Sequence, residues 1–203
     1  MNKVIALFVE GDTEIEFYKA LIVDIRSKNK EPFKKNFEYE NLKGIGNYKK
    51  DALRKFAKLR KKYPESDIYI FLCYDTDVFE LSKKPPVDME NVKELLLVNG
   101  AKGVELIKAK YSIEDWFLID FENVLKFLRL PANTPRGREK GLVKLKKLFM
   151  QANRMYIKGN KAEGFVDKLD IGKIRNGICE SLKPLCEYIG LDCKKICNKQ
   201  NKN

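Results

Sequence analysis

The chain has 203 residues, room for one compact domain with a sizeable core and a helical appendage but hardly for two enzymes. Hydrophobic residues at 44% and charged residues at 34% exclude the composition of a disordered chain, and no apolar run reaches the roughly 20 residues that span a bilayer. Lys and Arg number 41 against 29 acids, a formal charge of +12 that draws polyanions through counterion release; nucleic acid is the natural partner, with a merely solvated lysine-rich surface as the bland alternative.

Val4 to Val9 is a continuous apolar run, the pattern of a strand covered on both faces. Glu10-Gly11-Asp12-Thr13-Glu14 follows, then Ile15, Phe17, Tyr18, Leu21, Ile22 and Ile25 at helical spacing. The reading is strand, tight turn and helix, with Asp12 or Thr13 as N-cap and Thr13-x-x-Glu16 as a capping box. A weaker strand covers Phe37 to Leu42, and a basic helix Lys49 to Lys62, with Leu53, Phe56 and Leu59 facing inward. Ile68 to Tyr74 is the clearest strand and runs straight into Asp75-Thr76-Asp77. Beyond a Lys83-to-Pro86 loop, Met89 to Val98 reads as helix, Val104 to Ala109 as strand, and a helical segment near Ile113 carries Glu114-Asp115-Trp116. From Phe121 onward only helices are expected: Phe121 to Leu130, about Arg138 to Arg154, and about Ile171 to Tyr188, before a frayed tail at Asn198 to Asn203. Strands alternating with helices and then helices alone argue for an α/β core with an α-helical C-terminal part.

The absence of histidine removes Ser-His-Asp and Cys-His nucleophiles, histidine-based ribonuclease chemistry and His-rich zinc hydrolases. Carboxylates and lysines must carry any chemistry. In open parallel sheets, ligands bind outside the carboxyl ends of the strands. Glu10 ends the first strand, and Asp75 and Asp77 end the third, so adjacent strands bring three acids to one point. Such an all-oxygen set suits a hard divalent cation, magnesium above all, which keeps waters and phosphate oxygens in its sphere. Gly11 offers bare backbone for close approach of a phosphate, and the helix start near Thr13 adds partial positive charge. Solubilising loop acids that merely cap turns are the competing reading.

Val9-Glu10-Gly11-Asp12-Thr13-Glu14 between strand and helix, with a later strand ending in Asp75-x-Asp77, resembles the TOPRIM superfamily. The Glu-Gly-x-Thr-Glu form is similar to its OLD-like and RloB-like branches, often tied to phage defence, and Ser112 to Asp120 resembles a third acidic motif. The resemblance covers about residues 1–120. It implies a TOPRIM-like parallel sheet of about four strands with helices on both faces, forming a 1–120 catalytic core, with residues 121–203 as a helical extension packed on it. It also implies magnesium, or manganese, held by Glu10, Asp75 and Asp77, and a phosphodiester-cleaving enzyme of the kind tied to anti-phage defence; the cytoplasmic location is expected from the odd cysteine count and the lack of an export signal. Glu10 is then a ligand or general acid/base and Glu14 a supporting carboxylate; Glu114 is a further candidate ligand beside the same sheet edge. The expected serine and lysine of the third motif are not matched: Ser112 precedes Glu114-Asp115, and Lys108 and Lys110 are the nearest lysines. A catalytically idle module that binds nucleic acid or an ATPase partner, and a specialised RNA-processing endonuclease, remain open alternatives. No phosphate-binding loop is present, so any ATPase partner is a separate subunit; self-association is left open, as is the choice between DNA and RNA.

Lys61 and Lys62 on the basic helix, with Arg136, Arg138, Lys140, Lys144, Lys146 and Lys147, are candidate walls of a phosphate groove, against the usual solvated face, and Lys108 and Lys110 are further candidate nucleic-acid contacts. Trp116 reads as core. Five cysteines, an odd number, point to reduced thiols; Cys179, Cys186, Cys193 and Cys197 lack paired C-x-x-C spacing, which favours small core residues over a zinc site.

Overall fold

Val4 to Val9 is fully buried, as a strand with neighbours on both edges and layers on both faces must be. In the computed structural model, which describes residues 2–28, 36–81, 85–160 and 164–190, this run is β1 (Lys3–Val9). It pairs in parallel with β2 (Asn36–Asn41) on one side and β3 (Asp67–Asp75) on the other, and β3 pairs with β4 (Gly103–Ala109). The order is β2-β1-β3-β4, an α/β fold with an all-parallel sheet. The register Phe8↔Leu72 and Asp75↔Ala109 sets the ends of β1, β3 and β4 side by side at one carboxyl edge.

Alternation along the strands divides the core in two. Ile5, Leu7, Val9, Phe71, Cys73, Ile107 and Ala109 face α1 (Asp12–Ser27) and the helices that follow β4. Val4, Ala6, Phe8, Ile70, Leu72 and Val104 face α2 (Tyr48–Lys62) and α4 (Met89–Val98). A short α3 (Asp77–Leu81), not foreseen from the pattern, opens on Asp77 itself. Past β4 come α5 (Ile113–Phe117), α6 (Phe121–Leu128), α7 (Gly141–Gln151), α8 (Ile171–Gly177) and α9 (Cys179–Ile189). Their apolar sides, including Leu128, Leu145, Phe149 and Leu182, join the same core as α1, as does Phe165 in the connection between α7 and α8.

The helices after residue 120 are shorter than the periodicity suggests. Arg129 caps α6 in the left-handed conformation, α7 begins only where Gly141 donates to the Asp115 carboxylate at 2.9 Å, and Gly177 and Ile178 divide the predicted final helix into α8 and α9. The N-cap of α1 is Gly11, neither Asp12 nor Thr13, and no side-chain cap is made there. Trp116 is buried against Phe17, ring centroids 5.9 Å apart, as a core residue. Among the described residues no helix is long and apolar enough to cross a membrane. Cys73 and Cys179 are thiols outside any disulfide, whereas Cys186 is disulfide-bonded, a departure from the expectation of reduced thiols. Cys193, Cys197, the Asn198-to-Asn203 tail, and Lys83 with Lys84 of the predicted loop lie outside the described residues.

Candidate acidic site at the carboxyl edge

Glu10 follows the last residue of β1, and its Oε1 accepts a hydrogen bond from the Asp75 backbone N at 3.0 Å. That bond joins the ends of β1 and β3, which the sequence placed together only by assumption. Asp75 is 2% exposed; its Oδ1 accepts from Ile113 N at 2.9 Å, which ties β3 to the start of α5. The turn is held further by Thr76 N to Ala109 O and Asp77 N to Tyr111 O, both 3.0 Å, and by Tyr111 N to Thr76 Oγ1 at 2.9 Å. Tyr111 has a φ of 65°, a conformation that a bulky residue keeps only when its surroundings impose it.

Glu14, one turn into α1, and Glu114, at the start of α5, are 6% and 1% exposed. Each has one carboxylate oxygen, Oε2, that is buried without a hydrogen-bond partner among the described residues. The other Glu114 oxygen accepts from the Tyr156 hydroxyl at 3.0 Å. Asp115, adjacent in sequence, is a joint and no part of the cluster: its Oδ2 accepts from Ser112 N and Oγ while its Oδ1 holds Gly141 N.

Burial first, and neighbouring carboxylates after it, push Asp75, Glu14 and Glu10 upward. Burial, then the charges of Glu10 and Glu114, raise Asp75 from 3.8 to about 8, against the lowering influence of Lys158. Glu14 lies well above the usual carboxylate range through burial and its neighbours Asp75, Glu10 and Glu114. Glu10 is raised mainly by burial, opposed by the Asp75 hydrogen bond and Lys158.

Lys158 is the residue that sequence reasoning missed. Its Nζ lies 2.7 Å from Asp75 Oδ2 and 3.6 Å from Asp77 Oδ2. Burial opposes its charge, but Asp75 more than offsets that and holds its pKa above the ordinary lysine value. The lysine sits on a segment past α7 that crosses the start of α1. Asp12 N donates to Gly159 O at 2.8 Å, and the Thr13 hydroxyl donates to Asn160 O. This corrects two expectations. Thr13 is not a cap but a clamp on a distant segment, and Gly11 is bare because the chain crosses it: a Cβ there meets Gly159 Cα at 2.3 Å. The backbone N–H of Asp12 at the start of α1 is likewise already engaged.

Lys108 and Lys110 lie exposed at the end of β4, near the acids, with Lys110 Nζ 5.8 Å and Lys140 Nζ 4.2 Å from the Tyr111 ring centroid. Lys61 and Lys62 are not brought there. Helix α2 starts beyond the carboxyl end of β2 and ends where β3 begins, so both lie toward the opposite edge, and Lys62 pairs with Glu38 at 2.8 Å. Arg136 donates to Leu118 O at 2.5 Å and stacks on Phe121, which makes it a brace for α6, while Arg138 is exposed on the approach to α7. Lys144 is buried on Pro135 O at 2.7 Å, and Lys147 pairs with Glu139 at 2.6 Å.

The donor set of Glu10, Glu14, Asp75, Asp77 and Glu114 is all-oxygen, contains two buried glutamate oxygens with no hydrogen-bond partner among the described residues, and already holds one cation, the Lys158 ammonium. Its chemistry fits a hard divalent ion. Among the described residues, however, no three such side chains converge closely enough to enclose one in this conformation. No family model, curated protein or solved structure matches this chain.

Proposed function

We propose that this protein is a magnesium-dependent nuclease of the TOPRIM type, acting on nucleic-acid phosphodiesters at the carboxyl edge of its sheet. The observation that carries the reading is the burial of Glu14, Asp75 and Glu114 beside the half-buried Glu10, with the Lys158 ammonium seated on Asp75. A fold gains no stability from crowding carboxylates in low dielectric, and such clusters concentrate where a ligand relieves them. The net charge of +12 supports a polyanionic substrate.

Glu10, Asp75, Asp77 and Glu114 are the residues that would hold the ion, with Glu14 behind them. When bound, a divalent ion supplies charge neutralisation at the phosphate and a more acidic water. Glu10 is fixed by the Asp75 backbone, and burial raises its carboxyl above the ordinary glutamate range, which suits it to take up and give back a proton. Lys110 and Lys140, beside Tyr111, flank the approach and suit contacts to phosphates on either side of the cleaved bond. The role of anti-phage effector rests on the resemblance alone.

The test is cleavage of end-labelled duplex DNA, single-stranded DNA and structured RNA in magnesium or manganese. The Asp75→Ala, Asp77→Ala double substitution is expected to lower turnover by about 100-fold or more; full activity in that variant removes this site from the reaction. A second reading is favoured by the seating of Lys158 on Asp75, with no enclosed three-acid site among the described residues: a binding module whose acids are neutralised by that lysine. Tight nucleic-acid binding without turnover in either metal selects it.

A further inference from the structure

The cation already seated among the acids belongs to the chain. Lys158 Nζ makes its short contact with Asp75 Oδ2 and a longer one with Asp77 Oδ2, the two residues best placed to grip a metal. A divalent ion and an ammonium cannot share that space, since their charges repel strongly at a few ångströms in a buried setting. The backbone that carries Lys158 is pinned on both sides. Tyr156, 4% exposed, donates to Glu114, and Gly159 and Asn160 receive Asp12 N and the Thr13 hydroxyl. Between those pins the lysine side chain is 28% exposed, so its head has a way out to water by rotation about its own four-carbon stem.

We propose that Lys158 is a built-in counter-ion that occupies the metal position in the metal-free protein and must swing out before a divalent cation can be enclosed by Glu10, Asp75, Asp77 and Glu114. The inference rests on the metal-site reading above and goes beyond it: it makes metal entry a competition with one side chain. Among the described residues no three acids converge around a point in the present arrangement, and the ammonium already lies between the Asp75 and Asp77 carboxylates. The pins on Tyr156, Gly159 and Asn160 keep the displaced ammonium within a side chain's length of the site.

The test uses the full chain stripped with EDTA and titrated with manganese alone. By calorimetry, Lys158→Met is expected to bind manganese about tenfold more tightly than the unsubstituted protein, and Lys158→Arg to keep the weaker affinity. In the unsubstituted protein, amine labelling read by mass spectrometry is expected to find Lys158 protected without metal and several-fold more reactive at saturating manganese. Unchanged or weaker binding by Lys158→Met overturns the competition. Tighter binding with no change in Lys158 labelling overturns the displacement, because removal of a nearby charge then explains the affinity. If neither protein binds manganese at millimolar concentration, the metal-site reading fails and this inference with it. The labelling arm needs no substitution, so a variant that folds poorly does not leave the question open.

Discussion

Asp75 is where most of the site's forces meet. Its backbone N holds Glu10, one of its oxygens takes Ile113 N, and the other takes Lys158. Its pKa, about 8 in the fold against 3.8, means the native state retains a proton that the unfolded chain has released through that window. For an acid raised on folding, stability is greatest below the lower value and falls as pH rises toward the upper one. In EDTA, thermal denaturation is therefore expected to show a melting temperature that declines between about pH 4 and pH 8. The decline should be smaller in Asp75→Asn, whose amide does not titrate; equal slopes for the two proteins would place the pH dependence elsewhere. Glu14 contributes in the same direction. Tyr111 is a second residue whose local cost points outward, because its left-handed backbone is fixed by both Thr76 and Asp77 at the mouth of the acids.

At the scale of elements, the crossing of residues 156–160 over the start of α1 decides the shape of the site. Gly11 is the residue that permits it. A methyl group there overlaps Gly159 backbone, so Gly11→Ala should destabilise the fold by about 1–3 kcal/mol, measured by urea denaturation. It should also raise Lys158 labelling in the metal-free protein; an unperturbed melt would show that the crossing is loose. The candidate phosphate-contacting lysines separate by their position on the sheet. Lys110 and Lys140 lie against Tyr111, past the carboxyl end of β4, whereas Lys61 and Lys62 end α2 toward the far edge. Binding of a labelled oligonucleotide across a salt series is expected to lose about two units of slope in Lys110→Glu, Lys140→Glu, and to change little in Lys61→Glu, Lys62→Glu. The opposite ranking would move the substrate path to the α2 face.

The whole molecule is built so that the segment after residue 120 is part of the core. Leu128, Leu145, Phe149, Phe165 and Leu182 share one apolar layer with Ile5, Leu7, Phe71 and Ile107. Uncovering that face exposes a patch far larger than a soluble monomer normally carries. A chain cut after Asp120 is therefore expected to be aggregated or unfolded by size-exclusion chromatography and circular dichroism, even though it retains every strand described here. A folded monomer from that cut would show that residues 1–120 hold together alone.

Much of this architecture is legible in the amino-acid order because strands and helices write local periods. The apolar runs at Val4 to Val9 and Ile68 to Tyr74, the helical spacing from Ile15 to Ile25, and acids placed just past strand ends are all patterns within a dozen residues. From them followed the parallel α/β sheet and the convergence of Glu10 with Asp75. Helix limits beyond residue 120 were less legible, since Gly141 and Ile178 act through what they pack against. Lys158 was not legible at all: one lysine among many, with no periodic or motif context. Its partner Asp75 is far away along the chain, and the neighbouring Thr13 to Asn160 contact spans 147 residues. The order of residues determined that acids would gather at one sheet edge. Only the tertiary fold decided which cation answers them, because contact between remote segments is set by how the layers pack and leaves no period in the sequence.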